Sequence, residues 1–366
     1  MKNRICIVGG GIIGMLIARE LIDSGEKVVI IERGETGKAS SWAGGGILSP
    51  LYPWRYPDSV SELAKWSQVA YPGLISNLQK NTGIDSEWVR SGLLTVDAED
   101  GEKAVKWGLK YANSMKLVDP DYCETLQPGL VVDGGPIAWM PDVAQVRNPR
   151  LLAALKRNLL NNGVEIREQQ EITDFGTSNG KIHSILTNTE EIEADRCIIA
   201  AGAWSGHLLS RLGLDIPVKP IRGQMLVFRH NPAGLGRVVL KENYYLIPRR
   251  DGRILVGSTL EDVGFDNSTT ESAAVELRQA AVSIMPALAK IEVELQWAGL
   301  RPGSPDDIPY IGPHPEIEGL FACTGHFRNG FVLGPASARL LVDLVLGRPP
   351  LVNPAPYRLI RNTLPA

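Results

Sequence analysis

Cysteine is scarce in this chain and nowhere clustered. Cys6, Cys123, Cys197 and Cys323 are the four cysteines of 366 residues and form no C-x-x-C spacing, which excludes a thiolate metal cluster and a small disulfide framework and points to a reducing cytoplasm. Positive charge is not in excess either. A formal net charge of -3, with 22 % charged residues, offers no basic face to nucleic acid. No apolar run approaches the ~20 residues that cross a bilayer. There are only five histidines, and no acid–base pair or metal-ligand spacing gathers them, so no metal site is expected.

What remains is the composition of a soluble globular enzyme, 44 % hydrophobic. Its length exceeds the ~100–200 residues typical of one domain, which predicts two domains or one large α/β domain with an inserted lobe. The N-terminal MKNR followed by the apolar run Ile5 to Ala18 imitates a signal peptide. Gly9, Gly10, Gly11 and Gly14 interrupt that run, no small-residue cleavage site follows, and Arg19-Glu20 ends it, so it reads as part of the fold.

RICIVGGGIIGMLIARELIDSGEKVVIIER reads as a strand (Ile5 to Val8), a glycine turn, a helix (Ile12 to Ser24) closed by Gly25, and a second strand (Val28 to Ile31). Another apolar strand, Arg196 to Ala201, follows a helix predicted from Pro149 to Asn161, and a parallel sheet built from distant segments is expected. GQMLVFRH, YYLIPR and RILVGST between residues 221 and 265 alternate as antiparallel strands do, with a turn at Arg250-Asp251-Gly252. LFACTGH reads as a strand, and Pro335 to Leu346 as a helix that begins on proline and stops at Gly347. The expected fold class is α/β: a Rossmann-like dinucleotide-binding domain with a parallel sheet (1–85, 136–220 and 296–366) plus a smaller α+β substrate domain with a mainly antiparallel sheet (86–135 and 221–295).

Gly9-x-Gly11-x-x-Gly14 sits between a predicted strand and a predicted helix, the setting of a dinucleotide fingerprint. The first glycine permits the turn, the second lets a pyrophosphate approach, and the third lets the helix lie on the strand. Glu32 closes the second strand about twenty residues on, where an acid meets a ribose 2′-OH, which disfavours NADP. NAD and FAD share this signature. The second glycine cluster in SSWAGGGIL and the late joint GHFRNGFVLGPA suggest backbone packed against a large flat cofactor, and favour FAD. The amides of Gly330, Phe331 and Val332 are expected just before a helix, its positive end facing a developing flavin anion.

Over nearly its whole length the chain resembles the D-amino acid oxidase and glycine oxidase group of FAD-dependent amine oxidoreductases. The likeness rests on VGGGIIG with Glu32, AGGGIL, IIAAGAWSG with Gly202, YYLIPR, WAGLRPG and GHFRNGFVLGPA. WAGLRPG with GHFRNG is most similar to the bacterial glycine oxidases that support thiazole synthesis. The resemblance assigns Arg301 and Tyr245 to the substrate carboxylate, Arg328 to a second position near the substrate, and Ile47 to the border of pocket and flavin. It assigns the noncovalent FAD contacts to Gly9, Gly11, Ile12, Ile13 and Gly14 at the pyrophosphate turn and to Glu32 and Arg33 at the ribose. Ser40, Ser41, Gly45 and Gly46 lie along the phosphates and ring, Ile172 at the adenine, and His326, Phe327, Arg328, Asn329, Gly330, Phe331 and Val332 at the last loop. Asn243 departs from a histidine that some relatives carry. From the residues alone, Arg301 could instead form an ion pair with Asp306 or Asp307, Tyr245 could be a half-buried strand aromatic, and His326 reads as structural.

The reaction implied is oxidation of an amino acid at Cα by hydride transfer to the flavin, giving an imino acid that water converts to a 2-oxo acid and ammonia, with dioxygen reduced to hydrogen peroxide. Glycine is the implied substrate. The alternatives are a D-amino acid dehydrogenase passing electrons to a quinone or other carrier, an oxidase of sarcosine or D-proline, and a noncatalytic flavin sensor. A homo-oligomer is the family's habit.

Overall fold

The structure, a computed structural model, describes residues 4–111, 113–232 and 234–361. A six-stranded sheet has the order Tyr310–Pro313, Leu320–Thr324, Arg196–Ile199, Arg4–Val8, Lys27–Ile31, Glu165–Arg167. All its pairs are parallel except the first. Its inner strands are apolar without alternation because both faces are covered. One face packs helices Ile12–Asp23, Asp58–Thr82, Asn148–Asn161 and Gly330–Val345. The other packs a three-stranded sheet, Ile172–Ser178, Lys181–Thr187 and Glu191–Glu193, through Phe175, Ile185 and Ile192.

An eight-stranded sheet forms the second lobe, in the order Val293–Gly303, Lys219–Phe228, Ile254–Gly257, Tyr244–Pro248, Val238–Lys241, Leu93–Thr95, Ile137–Met140, Lys116–Val118. Only Val238–Lys241 with Leu93–Thr95 is parallel. Helix Glu271–Ile284 covers one face, with Leu277, Ala281 and Ile284 buried among Leu226, Phe228 and Val256. On the other face Met225, Tyr245 and Ile247 are buried. Strand Ile137–Met140 lies beyond the expected boundary at 135/136, and Val293–Gly303 runs across the one at 295/296.

The α/β class and the parallel and antiparallel sheets agree with the sequence reading. The C-terminal helix does not begin on proline. It runs Gly330–Val345 with Pro335 inside it, so the amides of Gly330, Phe331 and Val332 form its first turn rather than preceding it. Proline withdraws the amide that would bond the carbonyl of Phe331 and crowds that turn. The long helix Asp58–Thr82 compensates: Tyr71 Oη donates to Phe331 O at 2.6 Å, and Ser67 Oγ accepts from Ala336 N at 2.9 Å.

Candidate active site

The glycine turn is built by close approach. A Cβ on Gly9, whose φ is +112°, would lie 2.4 Å from Ala200 O, and one on Gly14 would lie 2.0 Å from Gly9 O. Helix Ile12–Asp23 starts there with no acid in its first turn, so its amides keep a positive end for an anion. Ser41 Oγ accepts from Ile12 N at 3.0 Å, which ties the second glycine loop to this turn. The Glu32 carboxylate accepts from Gly10 N at 2.8 Å and Gly34 N at 2.9 Å, so the strand-end acid is fixed at the turn. The Arg33 guanidinium stacks 3.7 Å from the Trp204 ring centroid.

The loop Gly44–Gly46 is fastened from the protein side. Arg249 Nη2 donates to Gly45 O at 2.8 Å, and its Nη1 donates to Gln145 Oε1 and Val146 O. Burial pushes the pKa of Arg249 down to about 10. Asn148 Nδ2 donates to Ser41 O at 3.1 Å, and Trp297 Nε1 donates to Ala43 O at 3.0 Å. A Cβ on Gly45 would meet Ile247 at 2.8 Å and Tyr245 at 3.1 Å, and one on Gly46 would meet Asn148 and Val146 at 2.2 Å. The loop is therefore glycine-rich because it presses on protein, and its backbone is left to line the cavity.

One cavity runs between the two lobes. Glu32, Arg33, Ile172 and Arg211 line it beside the glycine turn, and Tyr245, Ile47, Arg301 and Arg328 line it beside the large sheet. Of the residues singled out from sequence, the structure brings together Gly9, Gly11, Ile12, Ile13, Glu32, Arg33, Ser40, Ser41, Gly45, Gly46, Ile47, Ile172, Gly202, Tyr245, Arg301, His326, Phe327, Arg328, Gly330 and Phe331. Three stand back from the lining. Gly14 is held against Gly9, Asn329 is buried at the start of the last helix, and Val332 belongs to the core with Leu333 and Ala336.

Arg301 lies over Gly223 of the neighbouring strand, where any Cβ would come within 1.9 Å of Nη1. Its Nη2 donates to Ser258 Oγ at 2.7 Å and its Nη1 to Thr259 O at 3.2 Å. No carboxylate pairs with it among the described residues, and Asp306 pairs with Arg361 at 2.9 Å, so the ion-pair alternative with Asp306 or Asp307 is overturned. Burial lowers the pKa of Arg301, and the charge of Arg328 acts in the same direction. Tyr245 is buried with its hydroxyl 3.3 Å from Met225 Sδ, a weak acceptor. Arg328 leaves a buried Nε without a hydrogen-bond partner among the described residues, and so does Nε2 of His326. Burial drops the pKa of His326 to about 3, so the ring is neutral near pH 7.

Sequence reasoning missed Gly223, Ser258, Arg249, Asn148 and Trp297. Only Arg249 carried a signal: a charge at the end of YYLIPR, where an apolar strand enters the interior.

The family model described as "FAD dependent oxidoreductase" (DAO) matches residues 4–344. A glycine oxidase of Pseudomonas aeruginosa is 47 % identical over 98 % of this chain and 98 % of its own. The bifunctional protein ThiO/ThiG of Synechocystis is 34 % identical over 99 % of this chain and 55 % of its own, longer chain. The crystal structure of glycine oxidase from Geobacillus kaustophilus superposes with a TM-score of 0.93 at 29 % identity, covering 99 % of this chain and 100 % of that one. With the glycine turn, the fastened second loop and the lobe-spanning cavity, these likenesses establish that the chain belongs to the DAO family of FAD-dependent oxidoreductases.

Proposed function

We propose that this protein is a glycine oxidase, converting glycine and small relatives such as sarcosine or D-alanine to the 2-oxo acid, ammonia and hydrogen peroxide with noncovalent FAD. The observation that carries the reading is Arg301, a half-buried, charged guanidinium lining the cavity with no carboxylate partner among the described residues. Two of its five N–H groups are used by Ser258 and Thr259. The others suit the two oxygens of a substrate carboxylate, whose pairing would fix the position of Cα.

The cavity also suits FAD. Any side chain on Gly9 or Gly14 would strike backbone at the turn that takes a pyrophosphate, and the cavity beside it is walled by the main chain of Gly44–Gly46. The flavin, when bound, supplies the two-electron oxidation at Cα and passes the electrons to dioxygen. The chain's residues bind and orient. Tyr245 can turn its hydroxyl from the weak sulfur acceptor to the carboxylate, Ile47 borders the substrate, and Arg328 adds a second positive charge. No carboxylate lines the cavity beside Arg301 among the described residues, and burial leaves the His326 imidazole, with a pKa of about 3, too weakly basic to take up a proton near pH 7, so neither kind of group acts as a general base there. The two guanidinium charges instead disfavour the ammonium form of the substrate, which delivers it with a neutral amine.

The six-stranded lobe would carry most of the cofactor and the eight-stranded lobe the substrate. All four thiols are free and buried, in keeping with a reducing cytoplasm, and a homo-oligomer is in keeping with the family. The relationship to the fused ThiO/ThiG protein favours a role in supplying the oxidised amine for thiazole synthesis.

The test is anaerobic bleaching of the flavin band at ~450 nm by glycine, sarcosine, D-alanine and D-proline in turn, followed by air and a peroxide assay. Bleaching by glycine with prompt peroxide is expected. Bleaching by larger D-amino acids alone, without rapid reoxidation, would replace the oxidase with a dehydrogenase.

A further inference from the structure

Two arginines on paired strands have opposite surroundings. Arg222 on Lys219–Phe228 lies beside Arg301 on Val293–Gly303, in the register Ile221↔Arg301 and Arg222↔Leu300. Arg222 is buried and doubly paired, with Glu261 Oε2 at 2.6 Å and Asp266 Oδ2 at 2.6 Å. Among the described residues Arg301 has only neutral partners, the oxygens of Ser258 and Thr259 and the hydroxyl of Tyr245. Both lean on one segment, which leaves strand Ile254–Gly257 and returns alongside Arg222, where Arg222 N donates to Glu261 O at 2.8 Å and Glu261 N to Arg222 O at 3.0 Å.

That segment is tied by its side chains. Glu261 Oε1 accepts from Thr259 Oγ1 at 2.6 Å and from Gln224 Nε2 at 2.9 Å, and Thr259 Oγ1 in turn accepts from Gln224 N at 2.9 Å. The carbonyl of the same Thr259 receives Nη1 of Arg301. A continuous polar path thus joins the ion-paired Arg222 to the unpaired Arg301 by way of Glu261 and Thr259. Linked hydrogen bonds of this kind fix geometry more firmly than isolated ones.

We infer that Glu261 is a positioning residue for substrate carboxylate recognition: locked by Arg222, it fixes Thr259, which with Ser258 aims the guanidinium of Arg301 into the cavity. The inference rests on the reading that Arg301 takes the carboxylate. Its consequence is a binding defect rather than a chemical one, because substrate that does bind still meets the same cofactor.

The experiment uses holoenzyme and acetate as a nonreacting carboxylate, titrated calorimetrically and by perturbation of the flavin spectrum, beside steady-state kinetics with glycine. Glu261→Ala should weaken acetate binding and raise the KM for glycine about tenfold or more, with a much smaller change in kcat. Thr259→Val, which keeps shape but loses the hydroxyl, should do the same and covers the case in which Glu261→Ala does not fold. Thr259→Ser should restore binding. Reduced thermal stability with unchanged acetate affinity and KM in both loss variants would overturn the inference and leave Glu261 a structural residue. Arg301→Ala separates the two levels. Unchanged acetate binding in that variant would sink the carboxylate reading itself, whereas loss there together with normal binding in Glu261→Ala would sink only the relay.

Discussion

Tyr71 Oη and the carbonyl oxygen of Phe331, 260 residues apart, lie 2.6 Å from each other and are both buried. The bond exists because Pro335 cannot donate to that carbonyl from within the helix. Since Phe331 lines the cavity, the repair also anchors the helix end that faces the cavity. Tyr71→Phe leaves the buried carbonyl without a donor, so a loss of about 1–3 kcal/mol is expected. Urea unfolding of the holoprotein measures it, together with weaker retention of FAD on dilution. Wild-type stability in the variant would mean that solvent reaches Phe331.

On the proposed reading Arg301→Ala removes a charge-assisted fork from substrate, and from the protein it removes the bonds to Ser258 Oγ and Thr259 O but no ion pair. We expect FAD content to stay near wild type and kcat/KM for glycine to fall roughly a hundred- to a thousandfold, about 3–4 kcal/mol of transition-state binding. Arg301→Lys should recover little of it, because an ammonium cannot present two parallel N–H groups. A near-normal kcat/KM in the alanine variant would remove Arg301 from the substrate site.

Gly223→Ala is a one-carbon test of the same site. The new Cβ would lie 1.9, 2.1 and 2.2 Å from Nη1, Nη2 and Cζ of Arg301, so the guanidinium must leave its slot. The expected outcome is a KM for glycine raised at least tenfold in a folded, yellow protein. An unchanged KM would show that Arg301 binds substrate from another position.

The local parts of this design were legible in the sequence. The turn Gly9 to Gly14, Glu32 and the positive φ of Gly25 arise within one βαβ unit, so spacing alone predicts them. Arg301 was legible through its motif, although its slot was not, because Gly223 lies on a different strand and no local pattern marks a glycine that makes room for a guanidinium. Arg249 and Asn148 grip the second glycine loop across 204 and 107 residues, beyond the reach of any periodicity. Pro335 misled for the same reason: proline ordinarily opens a helix, and the side chains that let this one sit inside come from Asp58–Thr82.

His326 makes stability depend on pH. Burial depresses its pKa from the ordinary 6.5 to about 3, so between those values the unfolded chain binds a proton that the folded chain refuses. The unfolded state carries more protons, hence stability rises with pH across that window and is lost as pH falls through it, with a limiting slope of about 1.4 kcal/mol per pH unit for one such group. His314, also depressed by burial, adds to the slope. Asp100, held at about 2 chiefly by its hydrogen bond from Arg55, acts in the same direction but only once pH approaches the ordinary carboxylate range. Between pH 6.5 and 5 the raised carboxyls of Glu20 and Asp307 act in the opposite sense, so urea unfolding of the holoprotein isolates the ring only by comparison of wild type with a His326 variant. His326→Gln should reduce the slope there by nearly one proton, and a variant that titrates in parallel with wild type would show that the His326 ring is solvated in the folded protein.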